Sequence, residues 1–187
     1  MKLRLIYLAA GNSRRFGSNK LLYELEGKPL YLHLLERLDR LCARHDGWEV
    51  IAVTQYPQIY DDLNERHICA VLSPESHKGV SYSIRAGLEA AADAQACAFF
   101  VADQPYFTEE SAEAFLEYME RNQAELGCVS CGDQTGNPAW FSHSYFPELL
   151  ELKEDQGGRK ILKKYPEKIT CFPISDAGEL RDLDTLS

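Results

Sequence analysis

The sequence predicts a single-domain, doubly wound α/β sandwich built on a mostly parallel sheet. Strand-like and helix-like stretches alternate along the chain. The early strands are continuous apolar runs instead of two-faced alternations, which is how strands covered by helices on both faces read. The length, 187 residues, suits one domain, residues 1–187, with a substantial core, and no repeat, low-complexity tract or linker divides it.

Taken in order, Leu3 to Ala9 reads as a first buried strand. Pro29 to Leu38 reads as a helix, opened by proline at a tolerated first-turn position and carrying leucine at helical spacing. Strands are expected at Trp48 to Thr54, Ile68 to Ser73 and Ala96 to Ala102, with a helix from Val80 to Ala92 before the last of these. A helix from Ser111 to Asn122 follows, for which Thr108 is a natural cap and Ser111 the next in line. Strands at Cys128 to Cys131 and Pro138 to Ser142, a helix from Gly158 to Tyr165 and a strand from Ile169 to Ile174 complete the chain. In such a sandwich, ligands bind outside the carboxyl ends of the strands, where loops 10–20 and 103–108 emerge.

Composition removes several classes of function. Hydrophobic residues at 45% and charged residues at 26% fit a soluble globular protein and not a disordered one. No run approaches the ~20 apolar residues of a membrane span. The start MKLRLIYLAAG has only a short apolar part, met at once by Arg14 and Arg15, unlike a secretory leader. Six scattered cysteines, among them one C-x-x-C at Cys128 and Cys131 with no second pair to complete a zinc site, read as buried thiols in a reducing cytoplasm. The net charge of −9 argues against a nucleic-acid groove. Residues 1–40 nevertheless hold eight Lys or Arg against four Asp or Glu, so a small phosphate-bearing ligand belongs to that quarter of the chain.

The loop LAAGNSRRFGSNK after the first strand is built for such a ligand. Gly11 and Gly17 permit tight turning and close backbone approach, while Asn12 and Ser13 tolerate turn geometry and leave amide N–H groups free to form an anion nest. Arg14, Arg15 and Lys20 supply charge, arginine as a planar fork and lysine as a compact point. The spacing fits neither the P-loop, because five residues separate Gly11 from Gly17 and Ser18 follows, nor the G-x-G-x-x-G fingerprint. Carboxylates are expected opposite these cations to hold a divalent metal. Asp103 in ACAFFVADQPYF terminates an apolar strand, and Asp182 and Asp184 in LRDLDTLS, two apart in an extended segment, face one side.

LAAGNSRRFGSNKLL is very similar to the L-A-A-G-x-S-x-R-M-G-x-x-K-x-L signature that opens nucleotidyltransferases of the molybdenum cofactor type, with Phe16 in place of methionine. The resemblance is to the molybdenum cofactor cytidylyltransferase-like family, a branch of the sugar-nucleotide-transferase-like fold, and implies a Rossmann-like nucleotidyltransferase sandwich. It implies that Leu8, Ala9, Ala10, Gly11, Asn12, Ser13, Arg14, Arg15 and Lys20 bind the nucleotide, with Arg15, Lys20 and Asp103 catalytic. It makes Asp103, in the D-Q-P segment, and Asp184, in a closing D-I-D-T-P-E-D-like segment, the ligands of Mg2+. SHKGVSYSIRAGL resembles the family's glycine-serine loop, which implies Gly79, Ser81 and Ser83 beside the base and sugar; His77 reads as a loop residue without catalytic duty. GNPAWFS resembles the family's acceptor-lining strand. EDQGGRKIL resembles its G-D-x-G-A-R segment and implies Asp155 and Arg159 on the acceptor side, although Glu154 replaces the usual glycine and Gly158 the usual alanine.

The implied reaction is transfer of a nucleoside monophosphate to the phosphate of molybdopterin or the molybdenum cofactor, with release of pyrophosphate and with a molybdoenzyme as the implied receiver of the product. No general base is required for an acceptor phosphate whose second pKa is about 6. Ala9-Ala10-Gly11 matches the A-A-G of the cytidylyl-transferring branch, against A-G-G in the guanylyl branch, so CTP is the expected donor and GTP the next. A sugar phosphate as acceptor and a nucleotide- or pterin-binding carrier without turnover are the alternatives.

Overall fold

The computed structural model describes residues 1–12 and 19–183. The first strand, β1 (Leu3–Leu8), lies near the middle of a mostly parallel sheet and explains how the chain folds around it. Its alternate residues serve two cores. Leu3, Leu5 and Tyr7 face one apolar cluster while Ile6 faces the other, so a strand whose one charged residue is Arg4 near its start is buried from both sides.

On the first face lie α1 (Leu30–Cys42), α2 (Pro57–Glu65) and α4 (Glu109–Arg121). They contribute Leu34, Leu35 and Leu38, then Ile59 and Leu63, then Phe115, Leu116 and Met119. On the second lie α3 (Val80–Ala90), α5 (Phe146–Leu150) and α6 (Arg159–Lys164), contributing Ile84 and Leu88, then Phe146 and Leu149, then Ile161 and Leu162. Between them, β4 (Trp48–Thr54), β5 (Ala70–Leu72), β6 (Ala96–Val101), β7 (Leu126–Cys131), β8 (Gln134–Ser142) and β9 (Ile169–Pro173) join β1. Among the described residues the seven strands run in the order β5-β4-β1-β6-β8-β7-β9. β1 pairs in parallel with β4, Leu5 opposite Val50, and with β6, Leu5 opposite Ala98. β8 is antiparallel to both of its neighbours. A separate small hairpin of β2 (Glu24–Leu25) and β3 (Lys28–Pro29) precedes α1.

The doubly wound sandwich is the predicted one, and the differences are local. Ala9 and Ala102 lie just outside their strands. Pro29 sits at the N-cap of α1 and ends β3, so the helix begins one residue later than its proline suggested. Thr108 caps α4 as expected, its Oγ1 accepting from the Ser111 N–H at 3.1 Å. The cysteines are only in part the buried thiols expected: Cys97 and Cys128 are buried, but Cys69 and Cys171 are exposed. Cys171 lies on the edge strand β9 directly opposite Cys128, with the sulfurs 3.9 Å apart. Among the described residues, no helix is long and apolar enough to cross a membrane.

Candidate functional site

The chain reverses its direction of progress across the sheet at β1: β4 and β5 extend to one side, and β6 returns to the other. Such a switch opens a crevice at the carboxyl ends of the strands. The register places Leu8 beside Val53 and beside Val101, so the loops that follow β1, β4 and β6 start side by side.

The loop after β1 is held by the loop after β4. Ala9 N–H donates to Val53 O at 2.8 Å; Gln55 Nε2 donates to Ala10 O at 2.6 Å and to Asn12 Oδ1 at 3.0 Å. The Tyr56 hydroxyl donates to Gly11 O at 2.5 Å, and Asn12 Nδ2 donates to His77 O at 3.0 Å. These bonds occupy carbonyls and side chains of residues 10–12. Among the described residues, a Cβ built on Gly11 would meet no atom within 4 Å, so their packing does not require glycine there.

Lys20 re-enters this crevice on the short 3-10 turn Lys20–Leu22, fixed by burial of Leu21 and by Asn19 Oδ1, which accepts from the Leu21 N–H at 3.1 Å. Its Nζ lies 3.2 Å from Asp103 Oδ2, with the lysine side chain 14% and the aspartate 31% exposed. Asp103 stands two residues beyond β6 at the start of a loop held from beneath by Arg37, whose Nη1 donates to Pro105 O at 2.5 Å and to Phe107 O at 3.0 Å. Below the pair, Tyr7 is fully buried and its hydroxyl donates to Tyr31 O at 2.9 Å; burial, and then the Asp103 charge, push its phenol above its ordinary range. The end of the chain arrives at the same place. Leu183 N–H donates to Asp103 O at 2.8 Å, and Gln104 Nε2 donates to Leu180 O at 3.3 Å and to Asp182 Oδ1 at 2.9 Å.

The structure thus brings Leu8, Ala9, Ala10, Gly11, Asn12, Lys20 and Asp103 to one crevice. Ser13, Arg14, Arg15 and Asp184 lie outside the described residues. Gly79, Ser81 and Ser83 sit behind the Asn12–His77 contact and are more enclosed than surface contacts would be. Ser83 Oγ donates to Ser76 Oγ at 2.8 Å, which donates to Ser73 Oγ at 2.9 Å. Ser81 Oγ is buried with no partner among the described residues. This loop directly meets the segment expected on the acceptor side: Ser81 N–H donates to Glu154 O at 3.0 Å. Asp155 and Arg159 are themselves exposed.

Of the two departures from the G-D-x-G-A-R pattern, one has a local cause. Glu154 has φ +51°, a left-handed conformation for which glycine is the ordinary choice, and nothing in the structure explains the glutamate. A Cβ at Gly158 would lie 2.7 Å from Cζ of Phe141, so the usual alanine would collide with that ring. Gln55, Tyr56 and Gln104 escaped the sequence reading, because each acts on a loop remote in sequence. Elsewhere, His45, Glu113 and Glu117 bring one ligand atom each within 4.8 Å of one another, but at the amino ends of the strands, where Arg44 pairs with Glu113.

A family model for the MobA-like NTP transferase domain matches residues 5–169. The chain belongs to that family. The nucleotidyltransferase resemblance read from its first loop therefore holds at the level of the MobA-like NTP transferase family. The probable molybdenum cofactor guanylyltransferase of Thermococcus gammatolerans is 39% identical over 92% of this chain and 86% of its own length. The purine catabolism protein PucB of Bacillus subtilis is 28% identical over 96% and 90%. Among solved structures, Rv0371c of Mycobacterium tuberculosis superposes with a TM-score of 0.80 at 20% identity, covering 99% of this chain and 94% of that one, and it has also been crystallised with manganese. Rv0371c shares the doubly wound fold.

Proposed function

We propose that this chain transfers a nucleoside monophosphate, CMP from CTP, to the phosphate of a molybdopterin-type acceptor and releases pyrophosphate. The observation that carries this reading is the Lys20–Asp103 pair at 3.2 Å, at the carboxyl ends of the strands beside Gly11, whose Cβ would meet no described atom. A cation and a carboxylate in contact, facing a backbone turn with room for a ligand, fit a triphosphate and its counter-ion.

Asp103 is a hard oxygen donor, partly exposed at a strand end, and that donor chemistry suits Mg2+, which binds through one or two carboxylates together with substrate phosphates. Asp103 and Asp184 are the residues proposed to hold it. When bound, the metal neutralises charge on the phosphates. The chain supplies the rest. Amides from Asn12 onward hold the β- and γ-phosphates. Lys20, with Arg15, offsets charge developing on the departing pyrophosphate as the acceptor oxygen bonds to the α-phosphorus and the bridging oxygen leaves. The acceptor is already ionised near neutral pH, so no side chain is asked to remove a proton. Asp155 and Arg159 are proposed on the acceptor side, and the cytoplasm as the compartment suits the free thiols.

CTP is preferred for Ala9-Ala10-Gly11 in the first loop. GTP is the second reading, favoured by the guanylyltransferase names of the archaeal relatives. Incubation with each NTP, Mg2+ and molybdopterin, with pyrophosphate measured, separates the readings. Release dependent on both CTP and pterin supports the first, and release with GTP alone moves the assignment to the second. Tight pterin binding without pyrophosphate overturns transfer in favour of a carrier.

A further inference from the structure

The last turn described in the chain, the 3-10 segment Ala177–Leu180, carries a carboxylate that the proposed chemistry does not use. Glu179 is 8% exposed. Its Oε2 accepts from the Thr108 N–H and from Thr108 Oγ1, both at 2.9 Å, and its Oε1 accepts from Ser111 Oγ at 2.9 Å. Three donors on a buried, acceptor-only carboxylate make a strong anchor, placed where the first turn of a helix favours negative charge. Helix α4 does not need it as a cap, because Thr108 Oγ1 already accepts from the Ser111 N–H. What Glu179 adds is a tie between the carboxyl-terminal segment and the loop that begins at Asp103.

The ties form a series. Glu179 meets Thr108 and Ser111, Leu180 and Asp182 meet Gln104, and Leu183 meets Asp103. The segment therefore runs antiparallel to loop 103–108, each step bringing it nearer the Lys20–Asp103 pair, and the next residue in sequence is Asp184. Glu179 is the anchor farthest from the chemistry and the one with the most hydrogen bonds, which suits it to set the register of the others.

We infer that Glu179 is a positioning residue, which docks the carboxyl-terminal segment onto the Thr108 cap so that the segment leads past Leu183 to supply Asp184 to the metal beside Asp103. Its metal-directed half rests on the transfer reading above; the docking half does not.

The test compares wild-type protein with E179A and E179Q by hydrogen–deuterium exchange and by Mn2+ binding to the complex with a non-hydrolysable CTP analogue, read by electron paramagnetic resonance. Glutamine keeps the reach and one acceptor oxygen, while its amide can donate to the Ser111 hydroxyl. In E179A, exchange in residues 179–183 rises about tenfold or more, with β7 and β8 unchanged, on the scale set by losing hydrogen bonds to a buried charge. Mn2+ then binds about tenfold more weakly while the analogue's own affinity stays within about twofold, and E179Q lies near wild type. Unchanged exchange in 179–183, or equal acceleration throughout β7 and β8, overturns the docking. Faster exchange with unaltered Mn2+ affinity overturns the delivery of Asp184. If wild-type protein binds neither nucleotide nor Mn2+, the transfer reading fails and the metal-directed half with it, while exchange still decides the docking.

Discussion

Replacing Gly79 with alanine tests how tightly the two ligand-side segments are fitted together. Gly79 has φ +148°, outside the range that L side chains ordinarily adopt, and a Cβ there would lie 2.2 Å from the carbonyl carbon of Glu154, 2.3 Å from its oxygen and 2.8 Å from the amide nitrogen of Asp155. All three are backbone atoms, so no rotamer change relieves the collision. An unfavourable φ costs about 1–3 kcal/mol and overpacking a similar amount. Exposed residues 153–156 can shift to absorb part of this, which leaves a loss of about 2–4 kcal/mol. With a urea slope of about 2 kcal/mol per molar, the unfolding midpoint falls by about 1–2 M. The same shift breaks the Ser81–Glu154 bond, so KM for the NTP rises more than kcat falls. The companion change Glu154→Gly relaxes the strained residue facing Gly79 and leaves the midpoint level or higher. A Gly79→Ala midpoint within about 0.2 M of wild type would refute the reasoning, because it would mean that the two segments are not in contact.

Lys20→Met lowers kcat by about two to three orders of magnitude, the usual effect of losing one charge-stabilising donor, as measured by pyrophosphate release at saturating NTP. Burial pushes the thiols of Cys42, Cys97 and Cys128 up to about 12. At pH 8 only about one in ten thousand is thiolate, so mass-spectrometric mapping after brief alkylation finds the label on exposed Cys171 and Cys69 and not on those three. Hydrogen bonding from Arg44 holds Glu109 below its ordinary carboxylate pKa. Its stabilising contribution is therefore present above the unfolded-state pKa of about 4.3 and is lost as pH falls through the lower folded value; the urea-midpoint gap between wild type and Glu109→Gln narrows toward zero over that window.

The sheet was legible because burial on both faces leaves a plain trace. Trp48–Thr54 matches its prediction residue for residue, and β1 and β6 differ by one position each. Helix α2 escaped because only Ile59 and Leu63 are buried along it, too few to raise a period above its polar residues, although the proline at position 57 marks its first turn. Strands β2 and β3 have two residues each and no periodicity to read. Lys20 and Asp103 were legible as candidates from loop chemistry and the family signature, but their contact spans 83 positions and only the fold displays it. Gln55 and Glu179 carry no local mark, and the D-Q-P segment does not say what Gln104 binds: each partner is a distant loop that only the fold brings near. The exposure of Cys171 follows from its place on the edge strand, and sequence alone did not show which strand would be the edge.

On the proposed reading, Asp103 and Lys20 serve a nucleotidyl transfer. Its most direct test follows the α-phosphate of radiolabelled CTP, with Mg2+ and molybdopterin, in wild-type protein and in Asp103→Asn. The prediction is label transferred to the pterin with pyrophosphate released one for one by wild type, and a loss of turnover of about 100-fold or more in the variant, which keeps the shape of the side chain and removes its charge. Transfer by Asp103→Asn at the wild-type rate, or no transfer from any nucleoside triphosphate by wild type, would contradict it.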